Sequence, residues 1–168
     1  PGCWRRRSSG PSIRAAGSAI ANRRITSGAS TITMQTARLL EPRPRTLASK
    51  LIEAFRAVQI EARLTKRDIL ELYLTLAPYG GNLQGVRAAS WAWFDSEPDV
   101  LTPEEIALLI ALPQAPEGRR PDLRPEAAVA ARARVLDRMA RLGFVSAARA
   151  RECAKAPAPD RHPFPSEA

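Results

Sequence analysis

The chain has 168 residues, 45% of them hydrophobic and only 5% aromatic, with a formal net charge of +9. That length suits one ordinary domain, and a core must be packed mainly by Ala, Leu, Ile and Val, a composition that favours helix over strand. The cationic excess is almost all Arg, with Lys only at 50, 66 and 155. It points to an anionic partner such as nucleic acid, an acidic membrane surface or a phosphorylated substrate, although a GC-rich genome also raises Arg content. Cys3 and Cys153 have no metal-ligand spacing, one disulfide between them stays open, and the lone His162 leaves no zinc set. No apolar run reaches transmembrane length, and Arg5-Arg6-Arg7 lacks the apolar stretch of a signal peptide. A start at Pro1 rather than Met is expected of a fragment or a processed product.

In chain order, residues 1–21 carry no useful periodicity, apart from a short helix expected to begin near Ile13. Ser27-Gly28-Ala29-Ser30 reads as a turn that caps a helix over Thr31–Leu40, ended by Pro42 and Pro44. Thr46–Leu64 is the cleanest helix. Leu47, Leu51, Phe55, Val58 and Ala62 form one apolar stripe at helical period, the pattern of a helix with one core-facing side. Thr65 and Asp68 form a capping-box pattern opening a helix to Leu76. A Pro78–Asn82 loop precedes a helix over Gly85–Phe94, and Thr102-Pro103-Glu104-Glu105 starts another, to about Leu112. Pro113–Pro125 reads as loop, Glu126–Leu142 as a long helix ended by Gly143, and Ser146–Lys155 as a short last helix. The Pro-rich tail from Ala156 is expected to be disordered. The fold class is all-α, with seven or eight helices.

Three segments carry chemistry. Gly28-Ala29-Ser30-Thr31-Ile32-Thr33-Met34-Gln35 gathers hydroxyls and an amide at a helix start, where backbone N–H groups suit an anion; an ordinary capped helix start is the plainer reading. Lys50 and Glu53 lie three residues apart on one face, away from the Leu47/Leu51/Phe55 stripe, as a solvated ion pair would. Glu71, within Lys66–Thr75, is either a buried structural anchor or a polar-face carboxylate.

Together and in this order these segments resemble glycosyltransferase family 51, the transglycosylase domain of class A penicillin-binding proteins. The pattern Gly-x-Ser-Thr-x-Thr-x-Gln is met at Gly28, Ser30, Thr31, Thr33 and Gln35, Lys-x-x-Glu at Lys50 and Glu53, and Lys-x-x-Ile-Leu-Glu-x-Tyr-Leu from Lys66 to Leu74. A looser Arg-x-x-Val-Leu pattern is met at Arg132–Leu136. Residues 37–42, 77–82 and 112–116 look like the 1C branch. The resemblance covers roughly residues 22–143, within a domain expected over 22–155.

The resemblance implies a lysozyme-like helical fold, here incomplete, and polymerisation of lipid II into glycan strands. A sugar 4-hydroxyl attacks an anomeric carbon, undecaprenyl pyrophosphate leaves, and the centre inverts, much as in inverting glycoside hydrolysis. It implies a catalytic role for Glu53 on the pyrophosphate side, with a divalent metal (Mg or Mn) as a candidate cofactor there. Ser30, Thr31, Gln35, Arg38 and Lys50 become donor-site residues; Arg38 stands where many members carry Lys, and Glu71 is structural. Ser49 replaces the usual Arg before Lys50, and Met34 replaces the first of two glutamines. The implied partners are lipid II, the growing lipid-linked glycan, a membrane surface at the periplasmic face and other cell-wall synthesis proteins, with no nucleic acid.

The family's first motif, Glu-Asp-x-x-Phe-x-x-His, supplies the catalytic base and is expected just upstream of Pro1. Residues 3–12 are unlike the family and read as a disrupted or frameshifted region. Without that motif the chain is expected to be inactive and aggregation-prone. One alternative is a non-catalytic remnant that binds lipid-linked pyrophosphate. Another is an Arg-rich nucleic-acid binder, which the scattered Arg positions and scarce aromatics disfavour.

Overall fold

Thr or Ser begins most of the helices, because a side-chain oxygen there accepts one of the amides that a helix start leaves unpaired. Thr31 accepts from Met34 N (3.2 Å) at the head of α1, Ile32–Leu40, and Thr46 from Ser49 N (3.1 Å) at the head of α2, Leu47–Arg63. The expected box at Thr65 and Asp68 closes reciprocally over α3, Lys66–Leu76. Helix α4, Val86–Phe94, starts at Gly85, whose φ of +88° and close approach to the Thr75 carbonyl exclude a side chain. A second box, Thr102 with Glu105, opens α5, Pro103–Ala111. The loop expected after it holds two 3-10 turns, Leu112–Gln114 and Glu117–Arg119. Helix α6, Pro125–Arg141, ends at Gly143 as expected, and α7 is Ala147–Cys153.

The computed structural model describes residues 31–44 and 46–163, all helix, turn or loop apart from one isolated Pro78–Gln84 bridge. The expected helix near Ile13, the poorly patterned residues 1–21, Gly28, Ser30, the Cys3 half of a disulfide and residues 164–168 lie outside it. Cys153 is buried, with no disulfide partner among the described residues.

The hydrophobic core sits in the second half of the chain. Tyr79 and Leu83 from the α3–α4 loop meet Ala89, Ala92 and Trp93 of α4, Leu108 and Leu109 of α5, and Ala128 of α6. A second cluster joins Ala107, Leu136, Ala150 and Cys153 across α5, α6 and α7. Helices α1, α2 and α3 pack on one another but enclose no comparable cluster. Their buried residues are Thr33, Thr36 and Ala37 of α1, Ser49, Glu53 and Ala57 of α2, and Ile69 of α3, the one large aliphatic side chain among them.

Helix α2 is therefore turned opposite to its hydrophobic pattern. Leu47, Leu51, Phe55 and Val58 are 75%, 74%, 63% and 66% exposed, whereas Ser49, Glu53 and Ala57 face inward. Small residues let α1 approach α2 closely, and Glu53 accepts burial because it is paired. The expectation that the apolar stripe is the core-facing side is corrected: among the described residues nothing covers it.

Over residues 156–163, where the prolines suggest disorder, the backbone is tied to the rest of the fold by hydrogen bonds. Arg132, buried to 3% exposure, donates through Nη1 to the Pro157 carbonyl (2.9 Å) and through Nη2 to the Ala156 carbonyl. His162 N donates to Ala92 O (2.8 Å), and Arg161 to Asn82 Oδ1 (2.8 Å). Prolines weaken local pattern signals, but tertiary hydrogen bonds satisfy this backbone. Arg132→Met should release this strap. Hydrogen exchange at residues 154–163 is expected to accelerate while α4 and α5 stay protected, and global stability to fall by about 1–3 kcal/mol. Unchanged exchange in the strap would show that Arg132 does not hold it.

Candidate functional site

Thr31, Gln35 and Arg38 recur at four and three residues along α1 and so share one face. Thr31, at the N-cap, is exposed, and its hydroxyl is engaged with Met34 N. The amides of Ile32 and Thr33 have no intrahelical acceptor, as at any helix start, and the helix dipole places partial positive charge there. Half-buried Gln35, one turn on, accepts a long hydrogen bond from Tyr73 Oη of α3 (3.4 Å).

Arg38 reaches across to α2. Its Nε donates to Glu53 Oε1 (2.7 Å) and its Nη2 to Glu53 Oε2 (2.6 Å), a side-on bidentate pair between a 39% exposed guanidinium and a 5% exposed carboxylate. Charge-assisted forks of this kind are among the stronger polar contacts in proteins. The pair holds Glu53 below the usual carboxylate range, chiefly through the hydrogen bonds from Arg38, against the opposing effect of burial and helped by Arg38 and Lys50 charge. The same hydrogen bonds raise Arg38. Lys50, one turn before Glu53, is exposed. The simple Lys50–Glu53 surface pair expected from their spacing is thus replaced: Glu53 is buried and bound to Arg38, while Lys50 stands at the rim.

Ser49 is buried, and its Oγ lies 2.9 Å from Thr46 Oγ1. The position therefore carries a helix-start hydrogen bond rather than a cation. Glu71 is exposed, which places it on the polar face and not as a buried anchor.

A second polar tie was not legible in the sequence. Thr33 Oγ1 donates to Glu61 Oε1 (2.7 Å), as does Lys66 Nζ (2.8 Å), so one carboxylate links α1, α2 and the start of α3. Both contacts lower Glu61, Lys66 the more. A nearby groove of about 340 Å³ between Leu40, Glu41, Arg56, Gln59 and Arg63 excludes Glu53 and Lys50. It is separate from the site built here.

The arrangement is a carboxylate-anchored cation in the last turn of α1 beside an exposed Lys near the start of α2, with the amino end of α1 about two turns away. It suits an anion. An ionised carboxylate with both oxygens taken is a poor proton acceptor, so Glu53 is not placed to act as a general base.

A family model described as Transglycosylase matches residues 11–140. The chain is 49% identical over 144 residues to penicillin-binding protein 1C of Escherichia coli (strain K12), covering 86% of this chain and 19% of that protein. It is 42% identical to penicillin-binding protein 1A of Aquifex aeolicus, over 73% of this chain and 17% of that one. A biosynthetic peptidoglycan transglycosylase of Shewanella frigidimarina is 43% identical over 56% of this chain and 42% of its own length. Among solved structures, penicillin-binding protein 1A from Haemophilus influenzae has the same fold with a TM-score of 0.53, at 24% identity, over 79% of this chain and 17% of that one. The chain spans about a fifth of the length of the penicillin-binding proteins it matches. The matched stretch includes every motif that carries the polar site, and on that match the chain belongs to the transglycosylase family.

Proposed function

We propose that this chain forms the donor-side part of a peptidoglycan glycosyltransferase that polymerises lipid II and releases undecaprenyl pyrophosphate. The observation that carries this reading is the Arg38–Glu53 pair beside Lys50, on the α1–α2 face that begins at Thr31. In the reaction the acceptor's 4-hydroxyl oxygen forms a bond to the anomeric carbon of the lipid-linked strand. The bond from that carbon to the pyrophosphate oxygen breaks, and the electron pair leaves with the pyrophosphate. Arg38 and Lys50 stabilise the charge that develops there. Glu53 anchors Arg38, so it acts on the leaving-group side through that cation. The hydroxyl proton passes to a base in the family's first motif, which the 168 residues do not contain. The lipid-linked substrate places the work at a membrane surface, on the periplasmic face, with the growing glycan and other cell-wall synthesis proteins as partners. No helix among the described residues is long and apolar enough to cross a membrane.

Lipid II polymerisation should be compared for this chain alone and for a longer form carrying the first motif. Glycan is expected only from the longer form, and Glu53→Gln in it should lower the rate by about 100-fold or more. Full activity of Glu53→Gln would remove Glu53 from the site. Glycan synthesis by the bare chain would refute the placement of the base. A longer form that binds inorganic pyrophosphate but makes no glycan would favour the non-catalytic remnant.

A further inference from the structure

Divalent metals at phosphate sites are held by one or two carboxylates together with water and phosphate oxygens. Glu53 is the buried carboxylate at this site: each oxygen already accepts a charge-assisted hydrogen bond from Arg38, from Nε at 2.7 Å and Nη2 at 2.6 Å, and with only 5% of the residue exposed little room is left at the remaining lone pairs. No cluster of three or more Asp, Glu, His or Cys able to hold a metal occurs among the described residues. A divalent ion on Glu53 would have to displace two charge-assisted hydrogen bonds and sit beside two cations, Arg38 and Lys50. The residues present therefore do not fit the metal that the family resemblance suggested.

We propose that in this chain the Arg38 guanidinium takes the place of a divalent cation at the donor-side carboxylate. It fills both oxygens of Glu53 and turns its remaining N–H groups toward the leaving diphosphate. The geometry supplies what this needs. Arg38 binds Glu53 through Nε and Nη2, which leaves Nη1 with two donors and no partner among the described residues. The side chain keeps 39% of its surface exposed, whereas its carboxylate is 5% exposed. The charge is thus fixed from behind and open in front. Lysine at the same position has a single nitrogen and cannot fill both oxygens side-on, so it would leave room for a metal. Arg38 is in this sense a specificity-determining residue: it decides which cation the site uses. The consequence for catalysis rests on the glycosyltransferase reading, but the occupancy of Glu53 does not.

Manganese alone is the probe, titrated into the 168-residue chain without lipid II and followed by the electron paramagnetic resonance of free Mn²⁺. The unaltered chain should show no saturable binding that Glu53→Gln removes. Arg38→Lys and Arg38→Ala should each gain affinity by about tenfold or more, and adding Glu53→Gln to either should abolish the gain. Binding by the unaltered chain that Glu53→Gln eliminates would overturn the proposal, and this comparison needs no Arg38 variant to fold. Failure of both Arg38 variants to gain Mn²⁺ would overturn it too. A failed polymerisation assay leaves the titration untouched, so the two readings can fail separately.

Discussion

Replacing Arg38 with alanine is expected to destabilise the 168-residue chain by about 2 kcal/mol at neutral pH. Removing one partner of a fully buried ion pair costs about 3–5 kcal/mol, because the other charge is stranded, whereas exposed pairs are worth about 0–1 kcal/mol. Here Glu53 is buried but Arg38 is 39% exposed, so water screens the pair in part and the value falls between these limits. Glu53→Gln should cost less than Arg38→Ala, since it leaves a neutral amide rather than an unpaired carboxylate in the same place. The two losses should also differ in their pH dependence. In the folded chain Glu53 is held below its ordinary value. Its stabilising contribution is therefore fully present above the unfolded carboxylate pKa of about 4.3 and is lost as pH falls through the lower folded value. Without Arg38, burial favours the neutral acid. The penalty of Arg38→Ala should accordingly be greatest near neutrality and shrink below about pH 4. Urea unfolding at neutral and acidic pH measures this directly. A penalty that is equally large in acid would mean that Arg38 acts by packing its aliphatic stem and not by its charge.

Trp93→Ala is expected to have the largest effect on stability, a loss of about 3–5 kcal/mol. Trp93 is 1% exposed and is the largest fully buried side chain among the described residues. It belongs to the cluster in which α4 meets the α3–α4 loop, α5 and α6, so its removal opens a cavity shared by several elements. The indole Nε1 is buried with no hydrogen-bond partner among the described residues. Trp93→Phe deletes that orphan donor along with part of the ring, so the two effects oppose each other and the loss should be about 1–2 kcal/mol. The contrast separates packing from polar satisfaction. Equal losses for Phe and Ala would show that the indole N–H is in fact satisfied and matters. Both variants should leave the Arg38–Glu53 geometry intact, because α1–α2 and the Trp93 cluster share no buried residue.

The sequence by itself determined the helices and their ends. Thr65–Asp68, Thr102–Glu105 and Gly143 stand where expected because capping is decided within a few residues. The family was equally legible, because ordered motifs do not depend on how the chain packs. Which face of α2 turns inward was not legible. Leu47, Leu51, Phe55 and Val58 have the right period for a core, but periodicity says only that a helix has two unlike faces, and the neighbouring helix decides which one it covers. Here α1 offers Thr33, Thr36, Ala37 and Arg38, and these fit Ser49, Glu53 and Ala57 rather than a leucine stripe. The pairing of Arg38 with Glu53, fifteen residues apart, follows from that choice, and so does the lowered pKa of Glu53. The strap held by Arg132 is of the same kind: a local reading sees prolines, and only the fold brings a buried guanidinium to their carbonyls. Short-range hydrogen bonds and residue order were therefore fixed along the chain, whereas burial, partner and charge state were set by contacts between helices distant in sequence.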